Sequence, residues 1–382
     1  MKILIVRDVP GELNVKKMTY NIQEVGLATA LRKKGHVCDI MWCSNDHKYR
    51  EEVIVSEEHR INLYVVRSIN FLKNAWIKDA DHIFEQYDVL QVCEYNQMFT
   101  RHLAKKYPNK FVCYHGPYYC EYNKNYNRMA KVFDLFFLGR YKNLGSHFIT
   151  KSGLAADYLK SKGLKNVTPI GVGLSASFLG GENVEILPEL EIIRDTKCLK
   201  LLYIGVIEPR RNSLFMLDVI AKVKAMDIEF KHIVIGRFKD DSYRKEFWKK
   251  ADSLGVKDNI IYIQRVEQKY LTHVYANTDI FLLPTIYDIY GMVMLEAMYF
   301  SMPILTTVNG GSNMMIENGK NGVVFNGFNA IEWAECIKNL SLDFDKVKEM
   351  GRLAHDKIVS EYTWDKLAEK FIAAYETRII SL

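Results

Sequence analysis

The amino-acid sequence predicts an α/β protein of two domains. Its 382 residues exceed the roughly 150 residues of a typical single domain, so we expect two hydrophobic cores. Short apolar runs without polar alternation recur along the chain and end in polar loops, which is typical of parallel strands buried on both faces. Residues 175–197 lack a sustained period and contain Gly180, Gly181 and Pro188, so they are predicted to link the domains.

The first domain is predicted over residues 1–174. Its clearest strands are residues 2–6, 89–92 and 111–114. The loop over residues 7–11 lacks the G-x-G-x-x-G pattern, so no dinucleotide cofactor is expected there. His115 and Gly116 follow the third strand, and a lone histidine in that position is by itself more often a structural turn residue.

The second domain is predicted over residues 198–360 and contains the most informative segment. Residues 279–284 and 303–308 are unalternating apolar runs, and residues 292–298 between them are good helix formers. This order predicts a βαβ unit, whose right-handed crossover makes the two strands parallel. The loops after both strands therefore open on the same carboxyl edge of the sheet, where open α/β sheets bind ligands.

Glycine and acidic residues occupy that edge. Gly291 precedes a helix whose first N–H groups, at Met292 and Val293, have no intrahelical partner and favour a phosphate. Asp288 and Glu296 flank the helix start, and carboxylates bind hydroxyl groups. A sugar nucleotide has phosphates in the middle and a hydroxyl-rich ring at each end, so a sugar nucleotide fits this edge. A helix with a solvated glutamate and an ordinary glycine turn is the alternative interpretation.

Six segments, in order, resemble the signature of glycosyltransferase family 4, whose members are retaining enzymes with the GT-B fold. The central segment is Asp288-x-x-Gly291-x-x-x-x-Glu296, followed by Pro303 and Gly310-Gly311. The others are residues 2–6, His115-Gly116, Gly171-Val172, residues 205–211 and residues 362–364. The resemblance implies two Rossmann-like α/β domains facing across a cleft. It also implies a C-terminal helix over residues 361–382 that crosses back to the N-terminal domain.

The resemblance implies roles for individual residues. The implied catalytic residues are His115, Asp288 and Arg211. The implied donor-binding residues are Gly205, Arg210, Arg237, Arg265, Gly291, Met292, Val293, Glu296, Gly310 and Gly311. The implied acceptor-binding residues are Gly11, Tyr118 and Tyr119. Neither a metal nor a cofactor is expected, and a UDP-sugar is favoured over a GDP-sugar as the donor substrate.

The chain departs from the family pattern at six positions. Asp288 replaces the usual glutamate, Val206 an arginine, Arg211-Asn212 a Lys-Gly pair, Gly173 an aspartate and Ser301 a glycine. The missing arginine matters most, because two cations normally neutralise the pyrophosphate. The sequence leaves Arg210, Arg211 and Arg237 as candidates for the second charge.

Charge and cysteine content indicate partners and location. Residues 101–165 carry 13 basic and 3 acidic side chains, and we rank an anionic membrane first as their partner, ahead of an ordinary solvated face and of nucleic acid. Apolar side chains recur at near-helical spacing over residues 127–141. Such a stripe is usually core, and with basic neighbours it can also lie in a membrane interface. Seven scattered cysteines, no apolar run near ~20 residues and no signal peptide predict a cytoplasmic protein. The basic segment adds the expectation of peripheral association with the inner face of the plasma membrane.

The predicted function is transfer of a hexose-type sugar, with retention, from a nucleotide-diphosphate donor to a hydroxyl acceptor. The acceptor is expected to be a saccharide or a lipid-linked molecule of bacterial cell-surface polysaccharide or glycolipid synthesis. Two alternatives are a GT-B-type sugar-nucleotide epimerase and a catalytically impaired nucleotide-sugar-binding protein. Val206 and Asp288 are the residues that suggest impairment.

Overall fold

The computed structural model describes residues 1–9, 22–44, 49–71, 74–179 and 187–380. The chain divides into two compact units, one comprising Met1–Ser175 with Tyr362–Leu382 and the other Ala176–Glu361. Both units are α/β and their sheets are mainly parallel, so the predicted fold class is confirmed. Gly11, Gly180 and Gly181 lie outside the described residues.

The first unit contains one sheet with helices between its parallel strands. Its strands are β1 (Lys2–Arg7), β2 (Val37–Ser44), β3 (Arg50–Ser56), β4 (His59–Phe71), β5 (Asn74–Ile77), β6 (Val89–Cys93), β7 (Phe111–His115), β8 (His147–Thr150) and β9 (Val167–Pro169). Its helices are α1 (Gln23–Lys33), α2 (Asp81–Phe84), α3 (Met98–Lys106), α4 (Lys124–Asn143) and α5 (Gly153–Ser161). The strand order is β3-β4-β2-β1-β6-β7-β8-β9, and β5 pairs with β4 outside this order. Of the described strands, β3 and β5 pair antiparallel with β4, and the other pairs are parallel. The carboxyl ends of β1 and β6 are therefore neighbours, and β7 follows β6.

The second unit is a smaller doubly wound domain. Its strands are β10 (Leu199–Ile204), β11 (Phe230–Ile235), β12 (Ile260–Ile263), β13 (Ile280–Leu283), β14 (Ile304–Thr307) and β15 (Gly322–Phe325). Its helices are α6 (Pro188–Asp195), α7 (Ser213–Lys224), α8 (Asp241–Ser253), α9 (Leu271–Ala276), α10 (Met292–Tyr299), α11 (Ser312–Met315), α12 (Ala330–Ser341) and α13 (Phe344–Glu361). All strands are parallel in the order β12-β11-β10-β13-β14-β15, which is the Rossmann order.

Local sequence accounts for these elements. Every residue of β13 and β14 is buried, as expected for strands covered by helices on both faces.

The segment predicted to be an irregular linker, 175–197, instead contains helix α6. Pro188 occupies the start of that helix, where its missing N–H costs nothing, and Glu189 and Glu191 follow in the first turn, where they complement the helix dipole.

The last helix, α14 (Trp364–Ile380), packs within the first unit. Tyr375 donates a hydrogen bond to Gln91 at 2.6 Å, and Lys34 pairs with Glu369 at 2.6 Å. The indole of Trp364 is buried against Gly173, where a Cβ atom would lie 2.4 Å from the ring. Gly173 thus occupies a position that tolerates no side chain, which explains why the expected aspartate is absent there.

Candidate active site

The candidate site is built at the carboxyl ends of β10 and β13. The strand order reverses between these two strands, and ligands of open α/β sheets bind outside such a switch point. The loop after β10 carries Arg210 and Arg211, and the loop after β13 carries Asp288. The predicted βαβ unit is therefore present, and its loops lie at the edge where the sequence analysis placed them.

Gly291 begins helix α10 in a conformation that only glycine adopts readily. Its φ is 80°, in the left-handed region, and an added Cβ would lie 2.8 Å from the Met294 side chain. No described side chain caps the helix start, and the first turn of the helix holds no acidic residue. The first N–H groups of the helix, at Met292 and Val293, therefore form a positive end that suits an anion.

Glu296 lies in the second turn of α10 and is almost fully buried. Its Oε2 accepts a hydrogen bond from the Tyr275 hydroxyl at 3.1 Å, and its Oε1 has no hydrogen-bond partner among the described residues. Among the described residues, no cation forms an ion pair with this carboxylate. Burial therefore raises the pKa of Glu296 from 4.5 to about 7. Such a group gains a large free energy when a ligand supplies hydroxyl donors.

Arg211 and Asp288 form an ion pair that the sequence analysis did not predict. The Arg211 guanidinium donates a hydrogen bond to Oδ2 of Asp288, and both side chains are largely buried. Arg210 lies farther off, with 3.9 Å between its Nη1 and Oδ1 of Asp288, and it is held by Glu208 at 2.8 Å. Asp288 is also close to the helix start, because its Oδ2 would lie 3.6 Å from a Cβ on Gly291.

Gly310 and Gly311 hold the loop that carries Asp288. A Cβ on Gly310 would lie 1.9 Å from the carbonyl oxygen of Ile289, and one on Gly311 would lie 1.8 Å from that of Tyr290. The amide of Gly310 donates to the carbonyl of Asp288 at 3.1 Å. Protein backbone therefore fills the space beside these two glycines, which the resemblance implied to bind the donor.

The other predicted donor-binding residues occupy neighbouring loops of the second unit. Gly205 follows β10 with a φ of 150°, and a Cβ on Gly236 would lie 1.8 Å from its carbonyl oxygen. Arg237 follows β11 and Arg265 follows β12, and both are exposed. Neither forms an ion pair with a described residue. The structure therefore brings Arg210 and Arg211 to Asp288 and leaves Arg237 and Arg265 on the surface.

His115 ends β7 in the first unit and is completely buried. Its Nδ1 lies 2.7 Å from Oε2 of Glu94, the residue that follows β6. The ring also contacts Tyr95 edge-on at 5.1 Å and stacks on Tyr158 at 6.1 Å between centroids. Glu94 has a φ of 49°, a backbone conformation that is uncommon outside glycine and that clusters at functional sites.

Sequence reasoning missed several polar residues at these sheet edges. Asp8 follows β1 and is fully buried, and burial raises its pKa to about 7. Thr100 donates a hydrogen bond to it at 2.8 Å. Asp8 and Glu94 each follow a strand at the switch point of the first sheet, which is a signal that could have identified them. Tyr275 offered no such signal, because it lies on a short helix far from Glu296 in sequence.

The predicted acceptor-binding residues are placed only in part. Tyr118 and Tyr119 follow β7, and Tyr118 is buried whereas Tyr119 is 55% exposed.

Within the described ranges, no group of three or more His, Cys, Asp or Glu side chains could hold a metal ion. Nor is any described helix both long and apolar enough to span a bilayer.

Comparison with known proteins shows what the chain and its fold are similar to. Residues 191–357 match the family model described as "Glycosyl transferases group 1". Among curated relatives, the chain is 26% identical over 180 residues to spore coat protein SA of Bacillus subtilis, covering 46% of this chain and 48% of that protein. It is 29% identical over 126 residues to a D-inositol 3-phosphate glycosyltransferase of Corynebacterium jeikeium, covering 33% of this chain and 30% of that protein. These matches span about half the length of the curated relatives or less.

Solved structures match the chain over nearly its full length. A glycosyltransferase from Rickettsia africae superposes with a TM-score of 0.72 at 16% identity, covering 99% of both chains. Anabaena Alr3699/HepE in complex with UDP-glucose superposes with a TM-score of 0.72 at 12% identity, covering 99% of this chain and 100% of that one. These likenesses show the GT-B fold. Together with the matched segment, these likenesses support the group 1 glycosyltransferase superfamily, which is a broader group than the predicted family 4.

Proposed function

We propose that the protein is a retaining, metal-independent glycosyltransferase of family 4. It transfers a hexose-type sugar from a nucleotide-diphosphate donor to a hydroxyl acceptor. The acceptor is a saccharide or a lipid-linked molecule of bacterial cell-surface polysaccharide or glycolipid synthesis, and the reaction takes place in the cytoplasm. A UDP-sugar is the favoured donor, and the likeness to the Anabaena protein crystallised with UDP-glucose supports that choice.

The observation that carries this proposal is the carboxylate of Glu296. A buried carboxylate with one unpaired oxygen and no cation beside it is costly to keep in a folded protein. The ribose of a nucleotide would supply the missing donors, since its two hydroxyls can both donate to one carboxylate. In this proposal Glu296 binds the ribose hydroxyls and the diphosphate lies at the start of α10.

The start of α10 and Arg211 stabilise the leaving group. During transfer the bond between the anomeric carbon and the β-phosphate oxygen breaks, and its electron pair leaves with the diphosphate. The acceptor oxygen forms the new bond on the same face of the sugar, and its proton passes to the departing phosphate oxygen. The N–H groups at Met292 and Val293 and the Arg211 guanidinium face the charge that grows on the diphosphate.

Asp288 competes with the diphosphate for Arg211. Among the described residues, Arg211 forms its ion pair with the Asp288 carboxylate, which also lies next to the helix start. Binding of the donor therefore exchanges one anion for another at Arg211. Once displaced, Asp288 is released to accept a hydrogen bond from a sugar hydroxyl.

His115 and Glu94 act together in the first unit. Oε2 of Glu94 lies 2.7 Å from Nδ1 of His115, although the two groups are not aligned as a hydrogen bond. In this proposal the adjacent carboxylate favours the ring tautomer that carries its hydrogen on Nδ1, with Nε2 as the acceptor. Nε2 has no hydrogen-bond partner among the described residues. We assign it to a hydroxyl of the donor sugar, and Glu94 is then a positioning residue.

Release of free UDP tests the proposal. Purified protein is incubated with a panel of nucleotide sugars, with and without saccharide or lipid-linked acceptors, after a thermal-shift screen has selected the donor. A transferase releases UDP only when an acceptor is present, and the anomeric configuration of its product matches that of the donor. Interconversion of sugars without an acceptor would show an epimerase, and tight binding without turnover would show an impaired binding protein.

A further inference from the structure

Helix α4 of the first unit presents an uncovered apolar face. Met129, Val132, Leu135 and Phe136 are between 60% and 79% exposed, although each is a large hydrophobic residue. They lie at helical spacing along one side of a 20-residue helix. The opposite side, which includes Ala130, Phe133 and Tyr141, is buried against the first unit.

This arrangement separates two roles that the sequence pattern could not distinguish. The apolar stripe of residues 127–141 is core on one side only, where Phe133 packs edge-on against Tyr95 at 5.8 Å. Its other side contributes nothing to that core. A contiguous exposed apolar patch on a soluble protein is usually an interaction site.

Basic side chains border the exposed face. Arg128 and Lys131 are exposed alongside the apolar residues, and Arg140 lies one turn beyond Phe136. None of these three forms an ion pair with a described residue. Asp134 is the only acidic residue of the helix, and it lies away from this face, paired with Lys162. The surface therefore joins apolar area with uncompensated positive charge.

We propose that this face of α4, comprising Met129, Val132, Leu135 and Phe136 with Arg128, Lys131 and Arg140, binds the surface of an anionic lipid bilayer. The apolar side chains enter the interface between headgroups and acyl chains, and the basic side chains contact lipid phosphates. The helix lies in the plane of the interface, since it is not apolar enough to span the bilayer. A second copy of this chain is a poorer occupant, because two faces of the same positive charge repel each other.

Vesicle co-sedimentation tests this proposal without reference to enzyme activity, so its failure is distinguishable from failure of the proposed function. The full chain is mixed with vesicles of equal parts phosphatidylcholine and phosphatidylglycerol, or of phosphatidylcholine alone. We expect binding to the anionic vesicles only. Binding should weaken as salt shortens the Debye length from about 30 Å at 0.01 M to about 8 Å at physiological ionic strength.

Paired substitutions locate the surface. Leu135→Gln with Phe136→Gln should lower the partition coefficient at least tenfold, and Arg128→Gln with Lys131→Gln should lower it about thirtyfold at low salt. All four side chains are exposed, so the variants should fold, which circular dichroism checks. The matched control substitutes glutamine at two exposed apolar residues of the second unit, Ile331 and Leu342, and should bind as the wild type does.

Three outcomes would overturn the proposal. One is equal binding to neutral and anionic vesicles at all salt concentrations. Another is unchanged binding of both α4 variants. The third is light scattering that shows a dimer, abolished by the Leu135 and Phe136 substitutions, in a chain that binds no vesicles; the face would then join two copies of the chain.

Discussion

Replacing Glu296 with glutamine should stabilise the empty protein at alkaline pH and weaken its binding of nucleotide. The pKa of Glu296 is raised from 4.5 to about 7, so the folded protein holds this proton more tightly than the unfolded chain does. Stability from this group is therefore fully present below pH 4.5 and is lost as the pH rises through 7. The difference between the two pKa values corresponds to about 3 kcal/mol at 1.36 kcal/mol per factor of ten.

Glu296→Gln removes this cost because an amide carries no charge, and Tyr275 can still donate its hydrogen bond to the amide oxygen. At pH 8 we expect a free energy of unfolding higher by up to about 3 kcal/mol, which raises the Tm by up to roughly 6–12 °C for a unit of this size. At pH 4 the variant and the wild type should unfold at the same temperature. Scanning calorimetry at both pH values measures the effect.

The same substitution should weaken binding of UDP by about 30- to 150-fold, because a charge-assisted pair of hydrogen bonds contributes roughly 2–3 kcal/mol. Titration calorimetry measures it, with Glu332→Gln, at an exposed position of the same unit, as the matched control. A variant that is no more stable than the wild type at pH 8 would refute the assigned burial of charge. Increased stability with unchanged affinity for UDP would refute the ribose assignment alone.

Three further outcomes are expected. Asp288→Asn should tighten binding of free UDP several-fold while lowering turnover, because Arg211 loses its competing anion; weaker binding measured by calorimetry would contradict the exchange. Arg211→Ala should lower kcat more than it weakens donor binding, and a change in KM alone in steady-state kinetics would transfer the pyrophosphate role to Arg210 or Arg237. Gly173→Ala should lower the free energy of unfolding by about 1–3 kcal/mol, since the new Cβ would meet Trp364, and denaturant unfolding with unchanged stability would disprove that packing.

The parts of the fold that depend on local sequence could be predicted. Unalternating apolar runs fixed strands such as β13 and β14 to within a residue or two, because strands buried on both faces leave no polar position. The helix start at Gly291 was equally local, since the left-handed backbone there requires glycine. Helix α6 was missed because it has only eight residues, begins at Pro188 and follows Gly180-Gly181 closely.

The pairing of side chains could not be predicted in the same way. Tyr275 reaches Glu296, and Glu94 reaches His115, only because separate strands and helices bring them together. Charge at these positions is visible in the sequence, but a carboxylate's partner depends on the tertiary fold. Gly310 illustrates this as well, because the space left by its missing side chain is taken by a neighbouring loop.

Asp288 and Arg211 both depart from the pattern expected from the resemblance, and the structure pairs them with each other. Taken alone, Asp288 is one methylene shorter than the expected glutamate, so its carboxylate would fall about 1.5 Å short of a sugar hydroxyl. Arg211 is longer than the expected lysine and carries a planar donor group suited to a carboxylate. In the structure the longer cation meets the shorter anion. The two side chains form one ion pair, so a substitution at either position should be interpreted by its effect on the other.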